Sequence, residues 1–438
     1  MKEVPTPTLI DVAQLRIGMF VHLEGGWMSH PFPLSSFKIG SAAQIATIRS
    51  LGRQRVRWSP DRSDPAAVQS LVHPQAADGD DAALPDTVPA EDALAPLAET
   101  PEAAERRQRR EALHAQREAL HLCEQQFAEA TSACKRATDV VLTQPQQARE
   151  QTEALAQAFV DKMIGQQEMC IRLLTEAAGD KASLHAVNVA VISLLMGKTF
   201  GLSAAEMLDL GVGAMLHDIG KVELPERVRH REEHFTPAET QFYQEHVAHG
   251  VTLAKKMGLA SGATLVIAQH HEHADGSGFP LKLNSDRMTI ASRIVSLVNR
   301  YDNMCNPHVP SRALTPHEAL SLLFAQGKNR YDTAILGGFI KMMGVYPPGS
   351  VVQLTDDRYA MVVSVNSARP LKPRVMVHEP KVPRDEALLL NLECEPRLGI
   401  RRSLKPQQLP TESLDYLSPR TRVAYFFEPD VVPLEEAA

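Results

Sequence analysis

The sequence predicts a mainly α-helical protein with a small mixed module at its N-terminal end and a small β module towards its C-terminal end. Three observations support this fold class. Residues 8–58 combine short strand-like pieces with one helix-like run. From residue 101 the chain is rich in helix-forming Ala, Glu, Gln, Arg and Leu, and helical patterns continue to residue 345. After Pro347-Pro348-Gly349, β-rich runs alternate with turn residues.

The N-terminal module is predicted to occupy residues 1–60. Its strand-like pieces are Met19–Leu23 and Val56–Trp58, and the helix-like run Ser41–Leu51 joins them. Between residues 61 and 100 the chain is rich in Pro, Ala, Asp and Ser and poor in aromatic residues. Because such a composition buries little apolar surface, we interpret 61–100 as an acidic flexible linker.

Residues 101–177 are predicted to form a helical segment. One helix runs from Pro101 to Leu142 and a second from Pro145 to Ala178, with Leu155 and Phe159 on one apolar face. Three interpretations stay open for this segment. It covers the following domain, it forms a homodimer contact, or it is a solvated helical spacer.

The next domain, residues 178–345, is predicted to be helical throughout, with loops near Gly201, Pro225 and Asp275. A small β module is predicted at 346–410, with strands at 351–354, 360–365 and 374–377. The remaining residues, 411–438, are predicted to form a loosely ordered tail.

Composition narrows the classes of function. The net charge is −7 over 438 residues, which gives no support for a nucleic-acid binder with a basic face. The five cysteines are scattered and form no CxxC pair, as in a reduced cytoplasmic protein. No basic start with an apolar run marks a signal peptide, and the longest apolar stretch is Val189–Met196. Since a membrane span needs about 18 apolar residues, no membrane insertion is predicted.

The run Leu216-His217-Asp218-Ile219-Gly220-Lys221 is the strongest chemical signal. An amphipathic helix, Ala204–Met215, precedes it, and Gly220 is expected to end that helix in a left-handed conformation. Adjacent His and Asp side chains at a helix end can offer a nitrogen and oxygens to one metal, and the carboxylate can bridge two. Lys221 would then lie within reach of a phosphate oxygen.

Further histidines lie along the same helical domain. His185 lies on the preceding predicted helix, His246 on the following one, and His270-His271 precede the turn Asp275–Gly278. One helical histidine is usually structural, but five histidines with an aspartate predict a metal centre. Mixed imidazole and carboxylate ligands suit Fe, Mn or Zn, and two such metals can clamp a phosphodiester while activating water.

The order and spacing of these motifs, over roughly residues 178–345, resembles the HD-GYP domain. The resemblance implies an all-helical, HD-type phosphohydrolase that binds two or three metals, typically iron or manganese. It also implies hydrolysis of cyclic di-GMP to the linear dinucleotide or GMP. The family's Gly-Tyr-Pro reads Gly278-Phe279-Pro280 here, which keeps the aromatic ring.

Residue by residue, the resemblance implies a set of metal ligands: His185, His217, Asp218, His246, His270, His271 and Asn299. Asp218 and Lys221 would also take part in catalysis. The implied substrate-binding residues are Lys221, Gly278, Phe279, Pro280 and Arg312.

Three positions depart from the family pattern. Lys181 stands where trinuclear members carry Glu, which argues for two metals and against a third. Asn299 stands where the family has an Asp ligand, and Asp302, one turn away, could substitute for it. The family's Arg-Pro-Tyr-Arg reads His308-Val309-Pro310-Ser311, followed by Arg312, so bidentate recognition of phosphate is lost.

The N-terminal segment, from Leu15 onwards, resembles the short domain of unknown function that often precedes HD-GYP domains. Its Trp27, His30 and Phe32 form either a binding surface or the module's own core and turn. His230, His234 and His249 lie in polar stretches and are interpreted as surface residues.

The leading hypothesis is a cytoplasmic, metal-dependent phosphodiesterase that acts on cyclic di-GMP, with two divalent metal ions, iron or manganese. The alternative is a non-catalytic cyclic di-GMP receptor or protein-interaction scaffold, favoured by Asn299 and the His308–Ser311 stretch. A third hypothesis is an HD-type hydrolase of another nucleotide. The expected partners are cyclic di-GMP, signalling proteins, and a second copy of the chain through residues 101–177.

Overall fold

The computed structural model describes residues 8–23, 36–51, 54–64, 67, 100–164, 169–175, 179–230, 235–327, 329–366, 368–420 and 422–429. The chain divides into two compact units, residues 1–110 and 111–438. Most of the predicted linker lies outside the described residues, as do Trp27, His30, Phe32 and His234.

The first unit contains an antiparallel sheet with strand order β1-β4-β2-β3. Its elements are β1 (Thr8–Asp11), β2 (Phe20–His22), β3 (Ser36–Lys38), α1 (Ala42–Ser50) and β4 (Arg55–Ser59). The predicted strands near 19–23 and 56–58 and the predicted helix over 41–51 are confirmed. Their inward side chains form one core, which includes Met19, Val21, Ile39, Ile48 and Val56.

The helices of the second unit follow the predicted pattern. They are α2 (Pro101–Val140), which begins before the division between the units, α3 (Pro145–Ile164), α4 (Lys181–Thr199), α5 (Ala204–Leu216), α6 (Pro237–Met257), α7 (Ser261–Gln269), α8 (Ile290–Cys305), α9 (Pro316–Gly327), α10 (Thr333–Met343) and α11 (Thr411–Leu417). Helix α4 packs against α5 and α8, and α5 packs against α7.

Local sequence signals explain where the central helices begin. Capping boxes start two of them, Ser203 with Glu206 for α5 and Thr236 with Glu239 for α6. The carboxylate of Asp180 caps the start of α4 by accepting hydrogen bonds from the backbone N–H groups of Ala182 and Ser183. The Asp180 cap thus holds the end of α4 that carries the candidate ligand His185.

Among the described residues, α4 alone is long and apolar enough to cross a membrane by length and composition. Of its apolar window, 72% is buried inside the protein, and the core helix of a globular domain passes the same test. The helix is therefore explained by its place in the core.

The β part of the second unit is an antiparallel sheet of order β10-β6-β7-β5-β11, with β8 paired to β7 and β9 paired to β8. Its strands are β5 (Met169–Leu173), β6 (Val351–Leu354), β7 (Tyr359–Asn366), β8 (Arg374–Val377), β9 (Leu390–Asn391), β10 (Ile400–Leu404) and β11 (Tyr425–Pro429). The three predicted strands, at 351–354, 360–365 and 374–377, are confirmed.

Two predictions about this region are wrong. A helix was expected over 145–178, but β5 lies there with all five residues buried between β7 and β11. A strand covered on both sides shows no alternation of polar and apolar residues, so its pattern does not differ from that of a buried helix. The predicted loose tail contains α11 and β11, because Phe426 packs edge-on against Phe127 and Phe159 in the core.

Candidate metal centre

The candidate ligands come together from four neighbouring helices. His185 lies near the start of α4, and His246 lies in the middle of α6. His217 and Asp218 directly follow α5, and His270 directly follows α7. The packing of α4 and α7 around α5 brings these separate segments into one buried cluster.

The backbone fixes the tautomer of three of these imidazoles. The Nδ1 atoms of His217, His246 and His270 lie 2.7, 2.6 and 2.8 Å from the carbonyl oxygens of the residues three positions earlier. Since a carbonyl oxygen can only accept, each Nδ1 carries the proton and donates it. In the neutral ring, each Nε2 therefore presents its lone pair, as a metal ligand does.

Asp218 is the centre on which the histidines converge. Its Oδ1 lies 3.5 Å from Nε2 of His246 and 3.6 Å from Nε2 of His270. Its Oδ2 lies 3.4 Å from Nε2 of His217 and 3.8 Å from Nε2 of His185. One carboxylate thus faces a different pair of histidines with each oxygen, which is the arrangement of a bridging ligand.

The imidazole nitrogens within each pair lie close together. Nε2 of His185 is 3.1 Å from Nε2 of His217, and Nε2 of His246 is 3.3 Å from Nε2 of His270. Burial lowers the pKa of His217, and it lowers the pKa of His246 to about 3, so these rings are neutral. Where both rings of a pair are neutral, their facing lone pairs repel each other at this distance unless a cation lies between them.

Unpartnered atoms support the same conclusion. Oδ1 of Asp218 and Nε2 of His271 are buried and have no hydrogen-bond partner among the described residues. The ligand atoms of Asp218, His246, His270 and His271 lie within 4.8 Å of one another, as do those of His185, His217 and Asp218. Buried polar atoms are costly without a partner, and this donor set suits divalent transition metals. The residues therefore fit a metal centre.

Lys221 is placed to order the centre. Its Nζ lies 2.6 Å from Oδ2 of Asp218 and 5.4 Å from the centre of the Tyr243 ring. Burial raises the pKa of Asp218, but the Lys221 ammonium and the nearby imidazoles outweigh burial and hold it well below its usual range. For Lys221, burial is likewise outweighed by Asp218, and its pKa is raised. Both groups are therefore charged.

Gly220 was expected to adopt a left-handed conformation, and this is wrong. It lies in a 3₁₀ helix, Ile219–Glu223, and has no positive φ. A glycine is required for a different reason. A Cβ there would lie 1.9 Å from the carbonyl oxygen of His246 and 2.4 Å from the backbone nitrogen of Gly250. The His-Asp motif thus touches the backbone of α6 directly.

The loop that contains Gly278-Phe279-Pro280 covers the His271 side of the centre. The Phe279 ring stacks on the His271 imidazole, with centroids 4.5 Å apart and planes 23° apart. A Cβ on Gly278 would come within 2.5 Å of the backbone at residues 271–273. The buried Glu272 carboxylate accepts hydrogen bonds from the backbone N–H groups of Leu281 and Leu283, at 2.6 and 2.8 Å. The stacking of Phe279, the close packing at Gly278 and the hydrogen bonds to Glu272 therefore hold the loop in place.

Two family models match the chain. One, described as an HD domain, matches residues 161–335, and the other, a domain of unknown function named DUF3391, matches residues 8–152. Residues 161–335 of the chain form an HD domain.

Curated relatives of this HD-domain protein are phosphodiesterases by name. A cyclic di-GMP phosphodiesterase of Pseudomonas aeruginosa is 25% identical over 385 residues, which covers 84% of each chain. A cyclic di-GMP phosphodiesterase of Borreliella burgdorferi is 23% identical over 192 residues, which covers 44% of this chain and 51% of the relative. A 3′3′-cGAMP-specific phosphodiesterase of Vibrio cholerae is 31% identical over 129 residues, which covers 29% of this chain and 25% of the relative.

A solved structure is also similar to the HD-domain protein. It is Bd1817, a HDG"Y"P protein from Bdellovibrio bacteriovorus, with a TM-score of 0.41 and 12% sequence identity. The match covers 76% of this chain and 98% of that chain.

Asp302 contacts the candidate ligand His185 and belongs to neither group of possible metal ligands. Its Oδ2 lies 2.6 Å from Nδ1 of His185, which leaves Nε2 of His185 to face Asp218. Asp302 therefore orients His185, in the way that a carboxylate orients a metal-bound histidine. The idea that Asp302 substitutes for the family's Asp ligand is wrong in this structure.

Asn299 is buried in the cavity wall beside this cluster. Its Oδ1 accepts a hydrogen bond from Nδ2 of Asn303 at 2.5 Å, and its backbone oxygen accepts from the same amide at 2.9 Å. The side-chain oxygen that would serve as a ligand is thus already partnered within α8.

A cavity of about 1890 Å³ opens over the centre. This volume exceeds the 300–1,000 Å³ that is typical of small-ligand pockets. Gly278, Phe279, Pro280 and Arg312 lie in its wall, as does Lys181. Further basic side chains line it: Lys282, Arg300, Arg330, Arg420 and Arg422. The cavity can therefore hold a large anionic ligand against the metal centre.

His230 is half-buried in this wall, and its interpretation as a surface residue is wrong. Its ring stacks on His308, with centroids 4.1 Å apart and planes 15° apart. Burial, together with His308, lowers the pKa of His230 to about 4. His308, which lies in the stretch where the family has arginines, is therefore stacked against a second histidine, His230.

Several supporting residues were not singled out from the sequence. Asn188 bonds Asp302 and lies three residues after His185, and Asn306 bonds Asp302 from four residues further along α8. Spacings of three and four place side chains on one helix face, so helical position alone could have indicated both. For Glu272 the signal was its position between the His pair and the Gly-Phe-Pro loop.

Proposed function

We propose that this HD-domain protein is a metal-dependent phosphodiesterase that hydrolyses cyclic di-GMP to the linear dinucleotide or GMP. The observation that carries the proposal is the convergence of two histidine pairs on the two oxygens of Asp218. The cavity with basic walls supports an anionic substrate larger than a mononucleotide. The names of the Pseudomonas and Borreliella relatives support the choice of cyclic di-GMP.

We assign two divalent ions to the centre, iron or manganese by the resemblance to HD-GYP domains. One would be held by His185, His217 and Asp218, and the other by Asp218 with His246, His270 and His271. When bound, such ions supply Lewis-acid activation of water and stabilise negative charge on a phosphodiester. In four of the imidazoles Nδ1 is committed to a backbone carbonyl or to Asp302, so Nε2 is the nitrogen that faces a metal.

The other side chains have separate roles in the proposal. Lys221 keeps Asp218 ionised and stands at the cavity, where its ammonium can meet a phosphate oxygen. Phe279 holds the His271 ring by stacking and closes one wall of the substrate site. Arg312, which is exposed in the cavity wall, provides the guanidinium nearest in sequence to the position of the family's phosphate-gripping stretch.

The second candidate function is a cyclic di-GMP receptor or interaction scaffold without catalysis. Two observations favour it. The oxygen of Asn299 is occupied by Asn303, and His308 stacks on His230 where the family has arginine forks. A hydrolase of a related cyclic dinucleotide is the third candidate, because the Vibrio relative is named for 3′3′-cGAMP.

Turnover by metal-loaded protein separates these candidates. The chain would be loaded anaerobically with Fe(II) or Mn(II) and given cyclic di-GMP or 3′3′-cGAMP. We expect linear dinucleotide or GMP from cyclic di-GMP, and at least about a 100-fold loss in His246→Gln. His249→Gln is the matched control, since His249 lies one turn later on α6 and outside the ligand cluster.

Each other outcome points to one alternative. If folded, metal-loaded protein binds cyclic di-GMP tightly but forms no product, the receptor function is supported and the phosphodiesterase proposal is contradicted. Faster cleavage of 3′3′-cGAMP than of cyclic di-GMP would make 3′3′-cGAMP the proposed substrate. Equal activity in His246→Gln and His249→Gln would show that the histidine cluster around Asp218 takes no part in the reaction.

The proposal extends to compartment and assembly. Four free cysteines, Cys123, Cys134, Cys170 and Cys305, are buried, which suits the reducing cytoplasm. We keep the proposal of a homodimer through residues 101–177, together with signalling proteins as further partners. Light scattering of the full chain tests the dimer, and a monomer at all concentrations would remove it.

A further inference from the structure

The strand β11 reaches the metal centre through the side chain of Asn188. Nδ2 of Asn188 donates to Oδ1 of Asp302 at 2.9 Å and to the backbone oxygen of Val423 at 3.0 Å. Oδ1 of Asn188 accepts from the backbone N–H of Tyr425 at 3.0 Å. One buried amide thus joins the carboxylate behind His185 to two backbone groups at the start of β11.

A second asparagine, Asn306, repeats this arrangement from the position directly after α8. Nδ2 of Asn306 donates to Oδ1 of Asp302 and to the backbone oxygen of Val423, both at 2.9 Å. Oδ1 of Asn306 accepts from the backbone N–H of Val423, also at 2.9 Å. The two amides share the same pair of acceptors, so neither can rotate without breaking a bond to both Asp302 and Val423.

Asp302 transmits this constraint to the ligand. The Asp302 carboxylate is fully buried. Its Oδ1 accepts hydrogen bonds from the amides of Asn188 and Asn306, and its Oδ2 accepts one from Nδ1 of His185 at 2.6 Å. Rotation of the carboxylate would leave buried donors unpaired, which is costly in a low-dielectric interior. The orientation and tautomer of His185 therefore depend on the two asparagines and on the backbone at Val423.

We infer that Asn188 and Asn306 are positioning residues that make the start of β11 part of the support of the His185–His217 half of the metal centre. The inference rests on the proposed function only in that a metal binds there. A group that hydrogen-bonds a metal ligand directly, as Asp302 bonds His185, typically changes metal affinity by about 10–100-fold when substituted, and the two asparagines act through Asp302.

The other half of the centre lacks this support. His246 and His270 each donate Nδ1–H to a carbonyl of their own helix or of the helix just before them. Loosening β11 should therefore weaken the ion at His185 and His217 while leaving the ion at His246 and His270 in place. A residue that served only general stability would not produce such an asymmetry.

Hydrogen exchange of the metal-free full chain tests the network without any assumption about catalysis. We expect Asp302→Ala to speed exchange of the amides of Val423 and Tyr425 by at least about tenfold, since both asparagines lose their charged acceptor. Asn303→Ala is the control on the same helix, because its amide bonds Asn299. Equal exchange at 422–427 in the two variants would overturn the inference.

Metal titration tests the consequence. Mn(II) binding would be measured by equilibrium dialysis for the wild type, Asn306→Ala and Ser364→Ala. Ser364 contacts β11 at Glu428 and leaves Asp302 untouched. We expect Asn306→Ala to lose about tenfold or more in affinity for one ion and to keep the other. We expect Ser364→Ala to titrate like the wild type.

The two proposals fail in different ways. A wild-type chain that takes up no divalent metal contradicts the proposed function, and the exchange experiment then decides the network by itself. Asn306→Ala that binds both ions like the wild type overturns the inference and leaves the proposed function intact. A variant that loses both ions together would assign these residues to general stability, which also overturns it.

Discussion

Substitution of Gly220 by alanine is expected to displace α6 and, with it, His246. The added Cβ would lie 1.9 Å from the carbonyl oxygen of His246, whereas real Cβ contacts essentially never fall under 3.0 Å. The two backbones must therefore separate by about 1.1 Å or more. Since the backbone fixes the position of the Cβ and the oxygen is a backbone atom, no side-chain rotation can relieve the contact.

The expected cost follows from that displacement. Overpacking of a tight core typically costs 1–3 kcal/mol, and a backbone-to-backbone clash belongs at about 3 kcal/mol or above. Metal–ligand distances tolerate changes of only about 0.2 Å, so a displacement of about 1 Å takes His246 out of reach of an ion at the centre. We therefore expect Gly220→Ala to lose both stability and most of its affinity for one divalent ion.

Urea unfolding and Mn(II) binding measure the two effects, and Gly337→Ala is the matched control. Gly337 lies inside α10, and a Cβ there meets nothing within 4 Å. Alanine at that position should stabilise the chain by about 0.5–1 kcal/mol and leave metal binding unchanged. A Gly220→Ala protein with wild-type stability and metal affinity would refute the reasoning from backbone contact.

Three further predictions concern other polar groups. Glu272→Gln should lower the free energy of unfolding by about 1.5–3 kcal/mol in urea, because an amide accepts through one oxygen where the carboxylate serves two N–H groups. The same loss in exposed Glu118→Gln would contradict this. Arg172→Met should cost about 3–5 kcal/mol, because Glu428, 2.6 Å away and 9% exposed, is left buried without its cationic partner. Adding Glu428→Leu should recover most of this loss in thermal unfolding, and a double variant as unstable as the single one would contradict it. Asp332 is buried in part, which raises its pKa, but bonds from backbone N–H groups and Arg293 lower it overall below 3.8. The stability from this depressed pKa is present above pH 3.8 and is lost as the pH falls through the folded value, so Asp332→Asn should flatten acid unfolding there. An unchanged acid limb would contradict it.

The sequence indicated the chemistry of the centre more completely than its support. Side-chain type and spacing predict the His-Asp cluster because few residues bind metals. The commitment of Nδ1 in His217 and His270 depends on where α5 and α7 end, since helix ends leave carbonyls free to accept. That link between a helix end and a ligand tautomer is visible in the sequence only when the last helical residue is known.

Long-range partners were beyond prediction from the sequence. Asp302 bonds His185 across 117 positions, and Arg172 bonds Glu428 across 256. Local patterns carry no information about such pairings, which explains why β5 was taken for helix and β11 for a tail. Gly220 shows the same limit, because its requirement comes from the backbone of another helix.

The pairing of β5 with β11 has a consequence for synthesis of the chain on the ribosome. Residues 172 and 426, which lie opposite each other in this pairing, are 254 positions apart. At a synthesis rate of about 5–20 residues per second, roughly 13–51 s pass between the synthesis of β5 and that of its partner strand, β11. During that interval its five apolar-rich residues have an unpaired edge, which other nascent chains can join. Shielding of this short segment by a chaperone would therefore matter more for the yield of native protein than its length suggests.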